Sequence, residues 1–193
     1  MVHNKTFEIL KFFIEDYNNG IYGRSLIKKV SLSQKNIALT LNNLEKEGIL
    51  KSNKQGNIKY FNLNLNSPKI KDIITSVEIN KKINFLEKHK KIAEIFKEDN
   101  RIVGIFGSYA KGIERKDSDI DIFIIGEKQR EDYDRKGKLF DINVSIKYFS
   151  EKEFKDLLVQ KNNLCKEIIK NHIVIFNIEK FTDIGWRFYY GLN

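Results

Sequence analysis

The sequence predicts an α+β chain of two folded parts joined by a helical segment, and three observations carry that prediction. Apolar residues recur at helical spacing over much of the chain, short runs rich in β-branched residues interrupt its second half, and the only proline, Pro68, stands between differently patterned regions. Proline suits the first turn of a helix, where its missing N–H would have had no partner. The expected organisation is a domain over residues 1–66, a helical linker over 67–98, and a second domain over 99–193 with a small mixed sheet, a C-terminal helix and a strand.

In the first domain, residues 5–17 set Phe7, Leu10, Phe13 and Ile14 on one helical face, and Asn18-Asn19-Gly20 stops the pattern. A second apolar-periodic segment, RSLIKKV, follows Gly23 and runs to Val30 as a second short helix. Ser33 has the short oxygen-bearing side chain of an N-cap, Ile37, Leu41 and Leu44 recur behind it, and Gly48 closes this third helix. ILKSNKQGNIKYFNLNL then reads as two strands around a turn at Gln55-Gly56-Asn57. In the linker the apolar stripe shifts near Asn80, so one helix and two fit equally, and His89 among its lysines reads as solvated.

In the second domain, RIVGIF and DIDIFII are strand-like and enclose GSYAKGIERKDS. Residues 139–148, LFDINVSIKY, alternate: Phe140, Ile142, Val144, Ile146 and Tyr148 share one face, and Asp141, Asn143, Ser145 and Lys147 the other. A helix from about Glu151 to Lys170, a strand HIVIFN and an aromatic tail complete the chain. Phe154, Leu157, Leu158, Leu164 and Ile168 are its core residues, and Trp186, Phe188, Tyr189 and Tyr190 suit packing on the domain or on a partner.

Composition narrows the function classes. The formal net charge is +9, and residues 1–66 carry 10 basic and 5 acidic side chains, 67–98 carry 8 and 5, and 99–193 carry 17 and 16. The excess therefore lies in the first half; it fits a polyanionic partner such as duplex DNA, and it fits equally a Lys-, Asn- and Ile-rich composition of the kind an AT-biased coding sequence produces. Cys165 is the only cysteine, which excludes an intramolecular disulfide and a cysteine-based metal cluster. The start has no basic stretch before a long apolar run, and apolar runs elsewhere are strand-sized, so a cytoplasmic protein without a membrane span is expected.

The chemistry concentrates at residues 107–125. Alternation places Asp119, Asp121 and Phe123 on one side of a strand otherwise buried, and two like charges so placed repel unless a cation lies between them. Hard carboxylate oxygens suit Mg²⁺, which completes its shell with phosphate oxygens and water. Gly107 lets the backbone approach a phosphate, and Ser108 adds a hydroxyl and a main-chain N–H. Cation-binding carboxylates facing a phosphate-binding turn are the parts needed to transfer a nucleotidyl group.

Gly107-Ser108, ten intervening residues and Asp119-Ile120-Asp121, with Ala110-Lys111-Gly112 and Ser118, resemble the signature of the minimal nucleotidyltransferases of the polymerase-β-like superfamily over residues 100–150. The resemblance implies Mg²⁺ as cofactor, ATP or another NTP as donor, and transfer of NMP to a hydroxyl of a protein, RNA or small molecule. It implies metal ligation and catalysis by Asp119, Asp121 and a third carboxylate on a neighbouring strand, with Asp141 the candidate; if pairing slips by two residues, Asn143 takes that place. Gly107, Ser108 and Lys111 become nucleotide-binding residues, and antitoxin-type transferases that modify a cognate toxin share the motif. Residues 1–66 resemble a winged helix-turn-helix domain through LSQKNIALTLNNLEKEGIL and the basic hairpin, which implies DNA contacts by Gln34, Lys35, Asn36, Lys51, Lys54 and Lys59. Ala38 and Leu39 on the same helix leave open a docking or homodimerising use of that domain. A DNA-binding regulator whose transferase domain only senses nucleotide is the alternative to an enzyme.

Overall fold

The computed structural model describes residues 4–96, 98–129 and 133–190. The chain divides into two compact units, Met1–Val77 and Glu78–Asn193. Among the described residues, no helix is long and apolar enough to cross a membrane.

The first unit contains α1 (Asn4–Leu10), β1 (Ile21–Tyr22), one 3₁₀ turn (Gly23–Leu26), α2 (Gln34–Lys46), β2 (Leu50–Gln55), β3 (Ile58–Leu63) and the first residues of α3 (Ile70–Lys88). Ser33 caps α2 by accepting from the Asn36 N–H at 3.3 Å, and Ile37, Leu41 and Leu44 bury one face of that helix. β2 and β3 form the expected antiparallel hairpin, with Gly56 at φ 58° in its two-residue loop. β1 joins β3 on the other side to give the order β1-β3-β2. RSLIKKV is not a helix: after the 3₁₀ turn it continues as turns, with Ile27, Lys28 and Lys29 exposed. Leu26 is the apolar residue buried in that 3₁₀ turn, too little apolar area to hold a longer helix against the unit.

The second unit runs α4 (Lys90–Ala93), β4 (Ile102–Phe106), α5 (Gly107–Lys111), β5 (Ile120–Ile125), α6 (Tyr133–Leu139), β6 (Val144–Phe149), α7 (Glu151–Val159), α8 (Asn163–Lys170), β7 (Ile173–Phe176) and α9 (Ile178–Tyr190). Its mixed sheet has the order β6-β5-β4-β7, with β5 and β6 parallel and the other pairs antiparallel. Both faces are covered. Phe106, Phe123, Ile125 and Phe149 pack with Phe154, Leu158, Ile168 and Phe181 from α7 to α9, while Ile105, Ile120, Ile122 and Ile124 pack with Phe85, Ile92, Ile95 and Tyr133.

The helix expected from Glu151 to Lys170 is two helices. α7 opens on a capping box between Ser150 and Glu153, and Lys161 at φ 58° breaks the run. The Asn162 Oδ1 then accepts from the Leu164 and Cys165 N–H groups at 2.9 and 3.3 Å and starts α8. The aromatic tail is helical, as α9, with Phe181 and Ile184 in the core.

A buried ionic cluster ties α3 to the start of β7. Glu78 and His172 are 3% and 4% exposed, the His172 Nε2 lies 3.0 Å from Glu78 Oε1, its Nδ1 lies 2.9 Å from the Ile168 carbonyl, and Lys81 Nζ is 2.9 Å from Glu78 Oε2. Burial pushes the Glu78 carboxyl up, but the charges of His172 and Lys81 outweigh it and hold Glu78 down at about 2.

Candidate nucleotide site

The turn after β4 is built around one close approach. Gly107 sits at φ 71°, where glycine is favoured, and a Cβ added to it would overlap Asp121 Oδ2 and stand 3.1 Å from Asp121 Cγ. The β4–β5 register, with Phe106 opposite Asp121, brings that carboxylate against the Gly107 backbone. The Gly-Ser turn and the second aspartate thus lie against one another. Asp121 is half-buried, and burial first, then the charge of Asp119, raise its pKa, while Lys147 opposes them. Asp119 lies exposed immediately ahead of β5.

Strand β6 decides what faces this pair. The parallel register sets Ser145 opposite Asp121 and Lys147 opposite Phe123, and the Ile120 N–H donates to the Asn143 carbonyl at 2.9 Å, which puts Asn143 level with Asp119. Asp141 does not occupy the place expected of it. It stands exposed in a turn at φ 57°, two residues short of the coil residue Asn143 and ahead of the strand. The cause is local: the Gly137 carbonyl accepts the N–H groups of both Phe140 and Ile142 at 2.9 Å, so these residues close α6 instead of joining the sheet. Among the described residues, no group of three or more His, Cys, Asp or Glu side chains is gathered as a metal site. The sequence alternation had already put Lys147 on the polar face, but nothing in it announced the ammonium as Asp121's neighbour.

Ser108 lies half-buried in the first turn of α5, and Lys111 at its end pairs with Glu167 of α8 at 2.5 Å. The Ser118 Oγ accepts from the Arg115 N–H at 2.9 Å and folds the loop that leads into Asp119. His89 is not solvated: its side chain is 14% exposed, its ring lies 4.6 Å from that of Phe85 and edge-on to Tyr109 at 5.5 Å, and Glu114 approaches to 3.7 Å. Burial and the neighbouring Lys88 lower the His89 pKa, with Glu114 opposing. These contacts pack Tyr109 of α5 against His89.

In the first unit, Gln34 and Lys35 are exposed at the start of α2 and Asn36 is half-buried. The hairpin lysines do not form one stripe. Lys51 pairs in register with Asn62, whereas Lys54 and Lys59 face each other on the reverse side of the ribbon. Lys59 is already engaged, 2.6 Å from Glu45 Oε2 and over the Phe61 ring at 4.7 Å, and Glu45 also accepts from Ser52. The Lys59 hydrogen bond is the first cause of a lowered Glu45 pKa.

Residues 90–181 match the family described as polymerase beta, nucleotidyltransferase, over just under half of the chain. The second unit is similar to the nucleotidyltransferase domains of that family, and its small mixed sheet agrees with the match. No curated protein and no solved structure matched the chain.

Proposed function

We propose that the second unit is a divalent-cation-dependent nucleotidyltransferase that moves NMP, with ATP as first candidate donor, to a hydroxyl of a protein, RNA or small-molecule acceptor. The observation that carries this reading is the Asp121 carboxylate seated on Gly107 beside Asp119. Two carboxylates, one of them half-buried, fit one hard cation whose remaining positions go to phosphate and water. Asp119 and Asp121 would hold Mg²⁺, which when bound neutralises charge on the triphosphate and acts as a Lewis acid. Gly107 and Ser108 would receive the terminal phosphates, and Lys111 would exchange Glu167 for a phosphate oxygen as charge builds on the leaving group. The acceptor oxygen attacks the α-phosphorus, the bond to the bridging oxygen breaks, and pyrophosphate leaves. Asn143 and Ser145 are not bases at neutral pH, so the acceptor proton leaves to solvent.

Titration of ATP into the protein by calorimetry, with and without Mg²⁺, tests the site. Binding should require Mg²⁺ and be lost in Asp119→Asn/Asp121→Asn. Binding that persists in that folded double variant removes these residues from the account.

A second reading is a DNA-binding regulator that holds nucleotide without turning it over. Asn143 and Ser145 beside the acidic pair favour it, together with the net +5 of residues 1–66. On this reading residues 1–66 act as a winged helix, and exposed Gln34, Lys35, Lys51 and Lys54 meet DNA. Mg²⁺-dependent binding without release of pyrophosphate, and duplex affinity falling steeply with salt, would select it. A toxin as protein acceptor and a homodimer belong to the same set of proposals.

A further inference from the structure

We infer that the open face of the first unit's sheet is a second nucleotide site, one that takes a nucleobase together with its phosphate. The register sorts the hairpin into two sides. Leu50, Phe61 and Leu63 turn into the core, and Lys51, Asn53, Tyr60 and Asn62 turn out together, as the pairs Lys51↔Asn62 and Asn53↔Tyr60. Tyr22 of β1 lies opposite Tyr60, and their rings meet edge-on at 5.5 Å. The segment ahead of β1 walls this face and leaves a cavity of ≈ 490 Å³, whose lining includes Tyr17, Asn18, Lys51, Asn53, Tyr60 and Asn62. Gly20 lines it without a side chain, and a Cβ there would crowd Asn62 Nδ2 at 3.2 Å.

The lining chemistry selects the ligand. Asn18, Asn53, Gln55 and Asn62 each present an amide donor and acceptor, the pairing that a base edge requires. Tyr60, steadied by Tyr22, offers a ring on which a base can stack, and stacking of this kind accepts any base. Lys51 supplies one cation for a phosphate, and none of the lining residues carries a carboxylate to repel it. An apolar ligand would strand the amides, and an uncharged sugar would make no use of Lys51. The ligand is either a free nucleotide or an unpaired nucleotide within a strand.

The test uses the full chain carrying Asp119→Asn/Asp121→Asn, in EDTA, so that the acidic site is silent and failure here leaves the transferase reading untouched. AMP is titrated by calorimetry and a labelled octadeoxyadenylate by fluorescence anisotropy. At least one should bind, Tyr60→Phe should retain binding, and Tyr60→Ala should weaken it by about tenfold. An octamer that binds at least tenfold more tightly than AMP identifies a strand as the source; equal affinity identifies the free nucleotide. Asn53→Ala, at an exposed position, serves as a second variant whose fold is not at risk and should also weaken binding. Absence of binding by both probes, or binding unchanged in Asn53→Ala and in a folded Tyr60→Ala, overturns the inference.

Discussion

A methyl group at position 107 would press on the Asp121 carboxylate and hold an alanine at φ 71°. Gly107→Ala is expected to cost about 1–3 kcal/mol of stability and to weaken Mg²⁺–ATP binding by more than tenfold, as read by chemical denaturation and calorimetry. Normal binding by this variant would mean that the seat does not position Asp121. Glu78 answers differently, through pH. Its folded pKa of about 2 lies below the ordinary value of 4.5, so its stabilisation is present above pH 4.5 and is lost as pH falls from there towards 2. The shift corresponds to about 3 kcal/mol. Glu78→Gln should remove a similar amount at pH 7 and flatten the acid limb of a denaturation series; equal stability of variant and parent at pH 7 would show the cluster to be neutral. Neither Glu78–His172 nor His89–Tyr109 was legible in sequence, because Glu78 and His172 are 94 positions apart and His89 meets Tyr109 from a different segment.

At the scale of elements, β6 shows where periodicity misleads. The period-two pattern of LFDINVSIKY runs unbroken through a turn and a strand, since apolar Phe140 and Ile142 face the core from either setting. Side-chain alternation records which residues are buried, not which backbone groups join the ladder. Hydrogen bonds to the Gly137 carbonyl closed the turn, and the β5–β6 register, with Ser145 opposite Asp121, set Asn143 rather than Asp141 beside the acidic pair. Asn143→Asp should therefore tighten Mg²⁺ binding several-fold and lower metal-free stability, whereas Asp141→Asn, in an exposed turn that asparagine tolerates, should leave both within twofold. Metal titration of the two variants reads the outcome, and loss of binding in Asp141→Asn alone would restore Asp141 to the site. The split helix over 151–170 has the same origin: its apolar stripe spans both halves, while Lys161 and the Asn162 cap set the break.

For the molecule as a whole, each of the two compact units carries one of the two proposed ligand sites. Mg²⁺–ATP at about a hundred times its dissociation constant should add about 2.7 kcal/mol to the unit that carries Asp121. Hydrogen exchange should show this as slower exchange in β4 and β5, absent in Asp119→Asn/Asp121→Asn; unchanged exchange in the parent at saturating ligand would place the nucleotide elsewhere. The uneven charge, +5 over residues 1–66 against +1 over 99–193, bears on what the chain meets, not on how it folds.

The strands β4 and β5, the α2 helix with its Ser33 cap, the hairpin turn and the Gly107–Asp121 motif are legible in the amino-acid order alone. The elements among these rest on neighbours within a few residues, where side-chain period, cap chemistry and glycine leave little choice, and the motif is legible as a residue pattern whose contact the β4–β5 register then makes. Packing of the folded chain chose the partners across strands. It set Ser145 and Lys147 against β5 and buried Glu78 with His172. Pairing register and burial are settled by packing between distant segments, and no local pattern carries that information.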